Sequence, residues 1–177
     1  MVFMAKKNKK QIIHDEIKVL NALERNSNSS IDSIAKNCGF SRQKVWRIIK
    51  DLEQRKIIWG YTAIDDEKAK NLTHFTLLIK RTTKSFEDDV HKEVMFDEID
   101  NIPSGLVTVE NIYVAHGMYD WVITFYAPYL VTAKKFVDML FNRRSDYIKE
   151  YFLLETIVPI RKNGIKNPRI KDLVNYI

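Results

Sequence analysis

Ser41-Arg42-Gln43-Lys44-Val45-Trp46-Arg47-Ile48-Ile49-Lys50-Asp51-Leu52 is the most informative run in the chain. Ser41 is suited to cap a helix, because its hydroxyl can accept the free backbone N–H groups of the first turn. Val45, Ile48, Ile49 and Leu52 then fall at i, i+3, i+4 and i+7, the spacing that places them on one buried stripe. The opposite face carries Arg42, Gln43, Lys44, Trp46, Arg47 and Lys50. A short helix with an apolar back and a basic, amide-bearing front fits a major groove. There cations meet phosphates, and Gln and Arg read base edges. The competing reading is a solvated charged face, which is the commoner meaning of a single amphipathic helix.

The residues just before it separate the two readings. In Ser30-Ile31-Asp32-Ser33-Ile34-Ala35-Lys36-Asn37-Cys38-Gly39-Phe40, Ser30 can cap a second helix, and Ile31, Ile34, Ala35 and Cys38 repeat the same stripe. Gly39 sits where a helix ends in a left-handed residue, a conformation glycine adopts without steric cost. Phe40 can plug the corner. Two short helices, a Gly turn and a basic second helix predict a helix-turn-helix, with Ser41–Leu52 as its recognition helix.

Charge distribution agrees. The 177-residue chain is 45% hydrophobic and carries a net charge of +6, with only five Gly and four Pro, so it reads as globular. Residues 1–60 hold 13 Lys and Arg against 6 Asp and Glu, giving +7; residues 61–177 hold 16 against 17, giving −1. The excess lies where the helix-turn-helix lies, as a polyanion-binding segment requires. The single cysteine, Cys38, rules out an internal disulfide framework and a cysteine-rich zinc site, and on its stripe it reads as a small core residue. No apolar run approaches the ~20 residues that span a bilayer. The start, Met1 to Lys7, lacks the order of a secretory signal, so a cytoplasmic protein without a membrane partner is expected.

In chain order, residues 1–10 read as a basic arm with Lys6, Lys7, Lys9 and Lys10, and residues 11–57 as the helix-turn-helix domain. Its first helix is expected to turn Ile13, Ile17, Leu20 and Leu23 inward. Residues 58–71 read as a linking strand, Ile57 to Ile64 being β-branched and aromatic, followed by a charged linker. Residues 72–161 alternate: a strand from His74 to Thr82, a helix from Phe86 to about Ile99, strands from Leu106 to His116 and from Tyr119 to Tyr126 around a turn at Gly117-Met118, a helix after Pro128, and a strand from Tyr151 to Ile160. The order βαββαβ predicts an α+β chain, with a ferredoxin-like sandwich following the helix-turn-helix. One sheet face would be left with Thr76, Leu78, Val122 and Thr124, too apolar to stay wet, and dimerisation through it is the economical answer. Residues 162–177 read as a tail without an assigned role.

This organisation resembles the Lrp/AsnC, or feast/famine, family of transcriptional regulators over about residues 10–160. The resemblance is carried by Ile34-Ala35 through Gly39-Phe40-Ser41, by Leu52-Glu53, by Gly60-Tyr61-Thr62-Ala63 and by Gly117-Met118-Tyr119-Asp120. It implies a winged-helix-like DNA-binding domain and a RAM-type effector and oligomerisation domain. It also implies linking strands paired across a dimer two-fold, and assembly of dimers into tetramers or octamers. Recognition helices would enter successive major grooves ~34–36 Å apart. An amino-acid effector would sit between dimers near Gly117, Met118, Tyr119 and Asp120, its ammonium group paired with the aspartate. Met118 stands where the family often has a polar residue, and His116 where a small or polar one is commoner.

Two side chains have alternatives. Asp120 can serve as a local turn acceptor instead, and Trp46 can press on DNA or fold back on Ile13 or Ile17. Among other function classes, no Ser/His/Asp set, HExxH, P-loop or GxGxxG is present, and His14, His74, His91 and His116 are scattered, so neither an enzyme nor a cofactor is expected. The runner-up is a tetrapyrrole enzyme resembling the sirohaem decarboxylases, with His116 or Arg81 at its pocket. A third reading is a DNA-architectural protein without an effector.

Overall fold

The computed structural model describes residues 9–84 and 107–176. They form two compact units, one of residues up to Ile64 together with Arg161–Asn167, the other of Asp65–Ile160 with Pro168 onward. The expected helix at Phe86–Ile99 and the residues Lys6 and Lys7 lie outside the described residues.

In the first unit, helix α1 spans Lys9–Arg25, α2 Ile31–Cys38 and α3 Arg42–Gln54. Lys9 and Lys10, read as part of an irregular arm, open α1 instead. Both short helices are capped as their serines predict. The Ser30 hydroxyl accepts the Ser33 N–H at 3.1 Å, and the Ser41 hydroxyl accepts the Lys44 N–H at 3.3 Å. Gly39 ends α2 at φ +69°, and its N–H returns to the carbonyls of Ala35 and Lys36. The core packs Val19 and Leu23 of α1 on Ile34 and Ala35 of α2 and Val45 of α3, with Phe40, Ile48, Ile49 and Ile58 at its margin.

Helix α1 departs from its expected face. Leu23 is buried as expected, but Ile13 and Ile17 are about half exposed, and Asp15 and Val19 are buried in their place. An aspartate is tolerated there because Lys44 of α3 places its ammonium 2.8 Å from the Asp15 carboxylate, and Gln11 donates to it at 3.0 Å. The helix is therefore rotated from the face its isoleucines suggest.

Residues 57–64 form no strand within the chain. Their side chains favour an extended backbone, but a strand needs a hydrogen-bonding neighbour. Trp59, at 94% exposure, is the extreme of this segment. Further along the chain, Arg161–Lys162 (β5) and Ile165–Lys166 (β6) form a hairpin within the first unit. Its two-residue Asn163-Gly164 turn has φ 43° and 82°, the two positive angles this turn class requires.

The second unit is an antiparallel sheet of β1 (Thr73–Arg81), β2 (Thr108–Val114), β3 (Trp121–Ala127) and β4 (Ile148–Glu155), in the order β2-β3-β1-β4. That is the strand order of a ferredoxin-like sandwich. Helix α4 (Leu130–Arg144) covers one face. Phe75, Leu77, Ile79, Ile123 and Phe125 point into that core with Ala133, Phe136 and Val137 of the helix, and each large side chain contributes about 1.5–3 kcal/mol by burial. The last strand starts and ends earlier than its sequence suggests, because Ile148 belongs to the core and pairs with Arg81 while the ladder stops before Thr156.

The other face carries no helix from the described residues. The register aligns Tyr113, Val122, Leu78 and Phe152 across all four strands, and beside them Asn111, Thr124, Thr76 and Leu154. Tyr113, Phe152 and Leu154 are 54%, 47% and 51% exposed, so the row is apolar and open.

Candidate nucleic-acid interface

The outward face of α3 is built by its apolar back. Val45 and Leu52 are fully buried, which fixes the rotation of the helix and turns Arg42, Gln43, Trp46, Arg47 and Lys50 outward. Arg42, Gln43, Trp46 and Arg47 line a shallow groove of about 460 Å³ with Ile31 at the start of α2. Trp46 is 51% exposed and stands in this groove, so of its two readings the outward one describes its surroundings. Ile31 was not anticipated as a wall of this face; its place follows from the corner that Gly39 makes between the helices.

The cations of α3 differ in what holds them. Arg42 meets Asp32 at 3.3 Å with both side chains well exposed, a contact worth little in water. Lys50 pairs with Glu53 at 2.8 Å, and Glu53 also accepts the Tyr61 hydroxyl at 3.0 Å. Those two hydrogen bonds hold the Glu53 carboxyl below its ordinary range, while burial and the Glu53 contact push the Tyr61 hydroxyl up. Lys44 behaves otherwise. Its ammonium lies against Asp15 and 3.3 Å from the centre of the Phe40 ring, engaged with the core instead of standing on the front. Gln43 and Arg47 have no polar partner among the described residues, so both can be offered to a ligand without breaking a bond.

The second set, Gly117, Met118, Tyr119 and Asp120, lies between β2 and β3. Met118 is 73% exposed, and the Tyr119 ring meets Phe152 of β4 edge-on at 5.7 Å. Asp120 ties strands together: its carboxylate accepts the Arg81 N–H at 2.8 Å, its own N–H donates to the Ile79 carbonyl at 2.9 Å, and its carbonyl accepts the Ala115 N–H at 2.7 Å. The carboxylate thus caps the end of β1, which is not the turn it sits in. Of the residues considered for an enzyme pocket, His116 is exposed, and Arg81 lies 5.9 Å from the Trp121 ring and donates to the Lys84 carbonyl.

One polar cluster on the open sheet face escaped the sequence reading. A bulge in β2 between Val109 and Asn111 turns Glu110 over the sheet. Its carboxylate accepts the Tyr126 hydroxyl at 2.7 Å and the Thr124 hydroxyl at 3.0 Å, with a His74 ring nitrogen 3.2 Å away. Burial pushes the Glu110 carboxyl up, but these hydrogen bonds and the His74 ring outweigh it and hold the group below its ordinary value. Burial and the Glu110 carboxylate raise the Tyr126 hydroxyl well above its own. No group of three or more His, Cys, Asp or Glu able to hold a metal ion occurs among the described residues. Nor is any described helix long and apolar enough to cross a membrane.

The three helices coincide with a family model, the winged helix-turn-helix DNA-binding domain, which matches residues 16–58. The chain therefore joins a winged helix-turn-helix DNA-binding domain to a ferredoxin-like domain. Over 113 residues it is 32% identical to a protein named as an uncharacterized HTH-type transcriptional regulator, YugG, of Bacillus subtilis (strain 168), the match covering 62% of this chain and 64% of that one. Solved structures share the fold. An AsnC family transcriptional regulator from Agrobacterium tumefaciens superposes with a TM-score of 0.65 at 19% identity, over 89% of this chain and 97% of its own. A feast or famine regulatory protein from M. tuberculosis, complexed with L-methionine, gives 0.67 at 15% identity, over 88% and 98%. The two-domain fold is that of the Lrp/AsnC regulators.

Proposed function

We propose that the protein is a sequence-specific transcriptional regulator that binds double-stranded DNA as a homodimer in the cytoplasm. The observation that carries this reading is the front of α3, where Gln43, Trp46 and Arg47 stand exposed beside Arg42 and Ile31 without internal polar partners. Gln and Arg are the residues that read adenine and guanine edges in a major groove, and an exposed tryptophan suits a thymine methyl or the sugar backbone. Ser41 and Lys50 flank them toward the phosphates. Lys44 supports this surface from behind, through Asp15 and Phe40.

The open face of the sheet supports the dimer. Tyr113, Val122, Leu78 and Phe152 form a continuous apolar row that a second copy would cover, and residues 57–64 would find in that copy the strand neighbour they lack. An amino acid near Gly117–Asp120 is the effector we favour, and a relative of this fold holding L-methionine supports that class of ligand. Since the Asp120 carboxylate already accepts the Arg81 N–H, an ammonium group would share it with that bond.

Fluorescence anisotropy tests the reading. A duplex from the gene's own upstream region is compared with a scrambled duplex across a salt series. Preferential binding with a steep negative log–log slope is expected, with the preference lost in Arg47→Ala and Gln43→Ala. Equal binding of both duplexes would remove sequence specificity, and no binding at low salt would remove the regulator.

A further inference from the structure

The β5–β6 hairpin carries an electrostatic arrangement that the fold alone does not explain. Arg161 and Lys166 are directly opposed across the ladder. Like charges in that relation repel. Both are exposed, no acidic residue occurs between Arg161 and Asn167, and neither cation has a carboxylate partner among the described residues. On α3, Arg42, Lys44 and Lys50 each meet an aspartate or glutamate, as does Arg55 just past its end, whereas Arg47 on the outward face lacks a carboxylate partner among the described residues, as the hairpin pair does. Arg161 does donate to the Gly164 carbonyl, but this bond braces the turn without neutralising charge. The hairpin thus holds two facing cations on a rigid two-residue turn, a geometry that an external anion would relieve.

Its place in the molecule says which anion. The hairpin belongs to the same compact unit as α1, α2 and α3. Its turn and Ile165 line an open cleft of about 1150 Å³ together with the end of α1, the α1–α2 turn at Asn26 and residues 57–64. Residues 16–58 match a winged DNA-binding domain, yet among the described residues of that stretch there is no strand, only the three helices and a non-regular segment after α3. The first unit's described hairpin is therefore drawn from far along the chain.

We propose that the Arg161–Lys166 hairpin is the wing of the DNA-binding unit, with Arg161 and Lys166 contacting the phosphate backbone of the same duplex that α3 reads. The proposal rests on the DNA-binding function proposed above. It extends the contact surface to a segment that sequence alone leaves as a tail. Because phosphates are the same in every sequence, the hairpin adds affinity and salt dependence without base preference.

Lys166→Glu in the full-length protein is the test. The new carboxylate faces Arg161 across the ladder, so it replaces a repulsive pair with an attractive one and leaves the hairpin at least as stable, which a urea titration checks. Anisotropy on the upstream and scrambled duplexes then reads binding. The expected result is weaker binding to both duplexes by a similar factor, an unchanged preference between them, and a log–log salt slope shallower by about 1–2, since each phosphate contact contributes ~0.9. Lys166→Gln should give a smaller change in the same direction. If the wild type binds and both variants keep its affinity and slope, the hairpin is not a wing, while the α3 reading stands. If the wild type itself fails to bind either duplex at low salt, both fall.

Discussion

Replacing Lys44 with alanine removes the ammonium that lies 2.8 Å from the Asp15 carboxylate in the first unit's core, and the consequence can be bounded from two sides. The aspartate is 3% exposed, its ammonium partner at 2.8 Å is gone, and Gln11 at 3.0 Å remains as a neutral donor. Removing one partner of a buried pair costs about 3–5 kcal/mol. The carboxyl has a second way out, which is to take up a proton. At pH 7, about three units above the ordinary aspartate value, this costs about 4 kcal/mol, at about 1.4 kcal/mol per unit. The cheaper route sets the ceiling, so Lys44→Ala should lose about 3–4 kcal/mol at pH 7 and less at pH 5. Loss of the ammonium over the Phe40 ring adds about 1 kcal/mol at most. Asp15→Leu with Lys44→Met replaces both charges by apolar side chains, and should return to within about 1 kcal/mol of the wild type or exceed it. Urea unfolding followed by circular dichroism measures all three. The double variant should also keep the wild-type salt slope for DNA, because Lys44 faces the core. A loss below about 1 kcal/mol in Lys44→Ala, or a slope reduced by about 1 in the double variant, would refute this placement and return Lys44 to the DNA-facing set.

Other perturbations probe separate elements. Gly39→Ala should destabilise the first unit by about 1 kcal/mol through backbone conformation alone, since its φ is +69° and an added Cβ would meet nothing within 4 Å; urea midpoints measure it. Leu78→Lys or Phe152→Lys should leave a folded chain that elutes and scatters as a monomer, whereas a Lys134→Glu control on an exposed position of α4 should leave assembly unchanged. The Glu110 carboxyl is held below its ordinary 4.5, so its stabilising effect is present above pH 4.5 and lost as pH falls through the lower folded value. Stability measured between pH 6 and pH 3 should therefore fall less steeply in Glu110→Gln than in the wild type.

The elements legible in the sequence are those whose cause is local. Ser30, Gly39 and Ser41 act within a few residues of themselves, and Val45 and Leu52 are buried where their spacing puts them. The alternation of Phe75, Leu77 and Ile79 carries the same information for the sheet. What sequence missed depends on partners distant in the chain. Ile13 and Ile17 looked like the inner face of α1 because nothing local shows that Asp15 is neutralised from another helix. Residues 57–64 read as a strand from side-chain preference, which is local, whereas the ladder hydrogen bonds of a strand need a neighbour that this segment does not have among the described residues of its own chain. Glu110 reaches His74 and Tyr126 only because a bulge shifts the register. The Asn163-Gly164 dipeptide is a hairpin signal in its own right, but arms of two residues are too short to show a period. Of the α3 front, Gln43 and Arg47 were readable as outward, while Trp46 had two readings and the commitment of Lys44 to the core was not visible.

The three tryptophans occupy unrelated settings. Trp46 stands in the groove of α3, Trp59 is almost fully exposed in the segment after it, and Trp121 opens β3 beside the Arg81 guanidinium. The chain thus carries three intrinsic optical probes, one in each region whose behaviour is in question. With the other two replaced by phenylalanine, Trp46 emission reports contact with a duplex. Trp59 emission shifts to the blue when another chain shields it, and Trp121 emission follows the start of β3 next to Asp120. Binding, association and ligand response can then be timed against one another in a single unlabelled protein, which would show the order in which they occur.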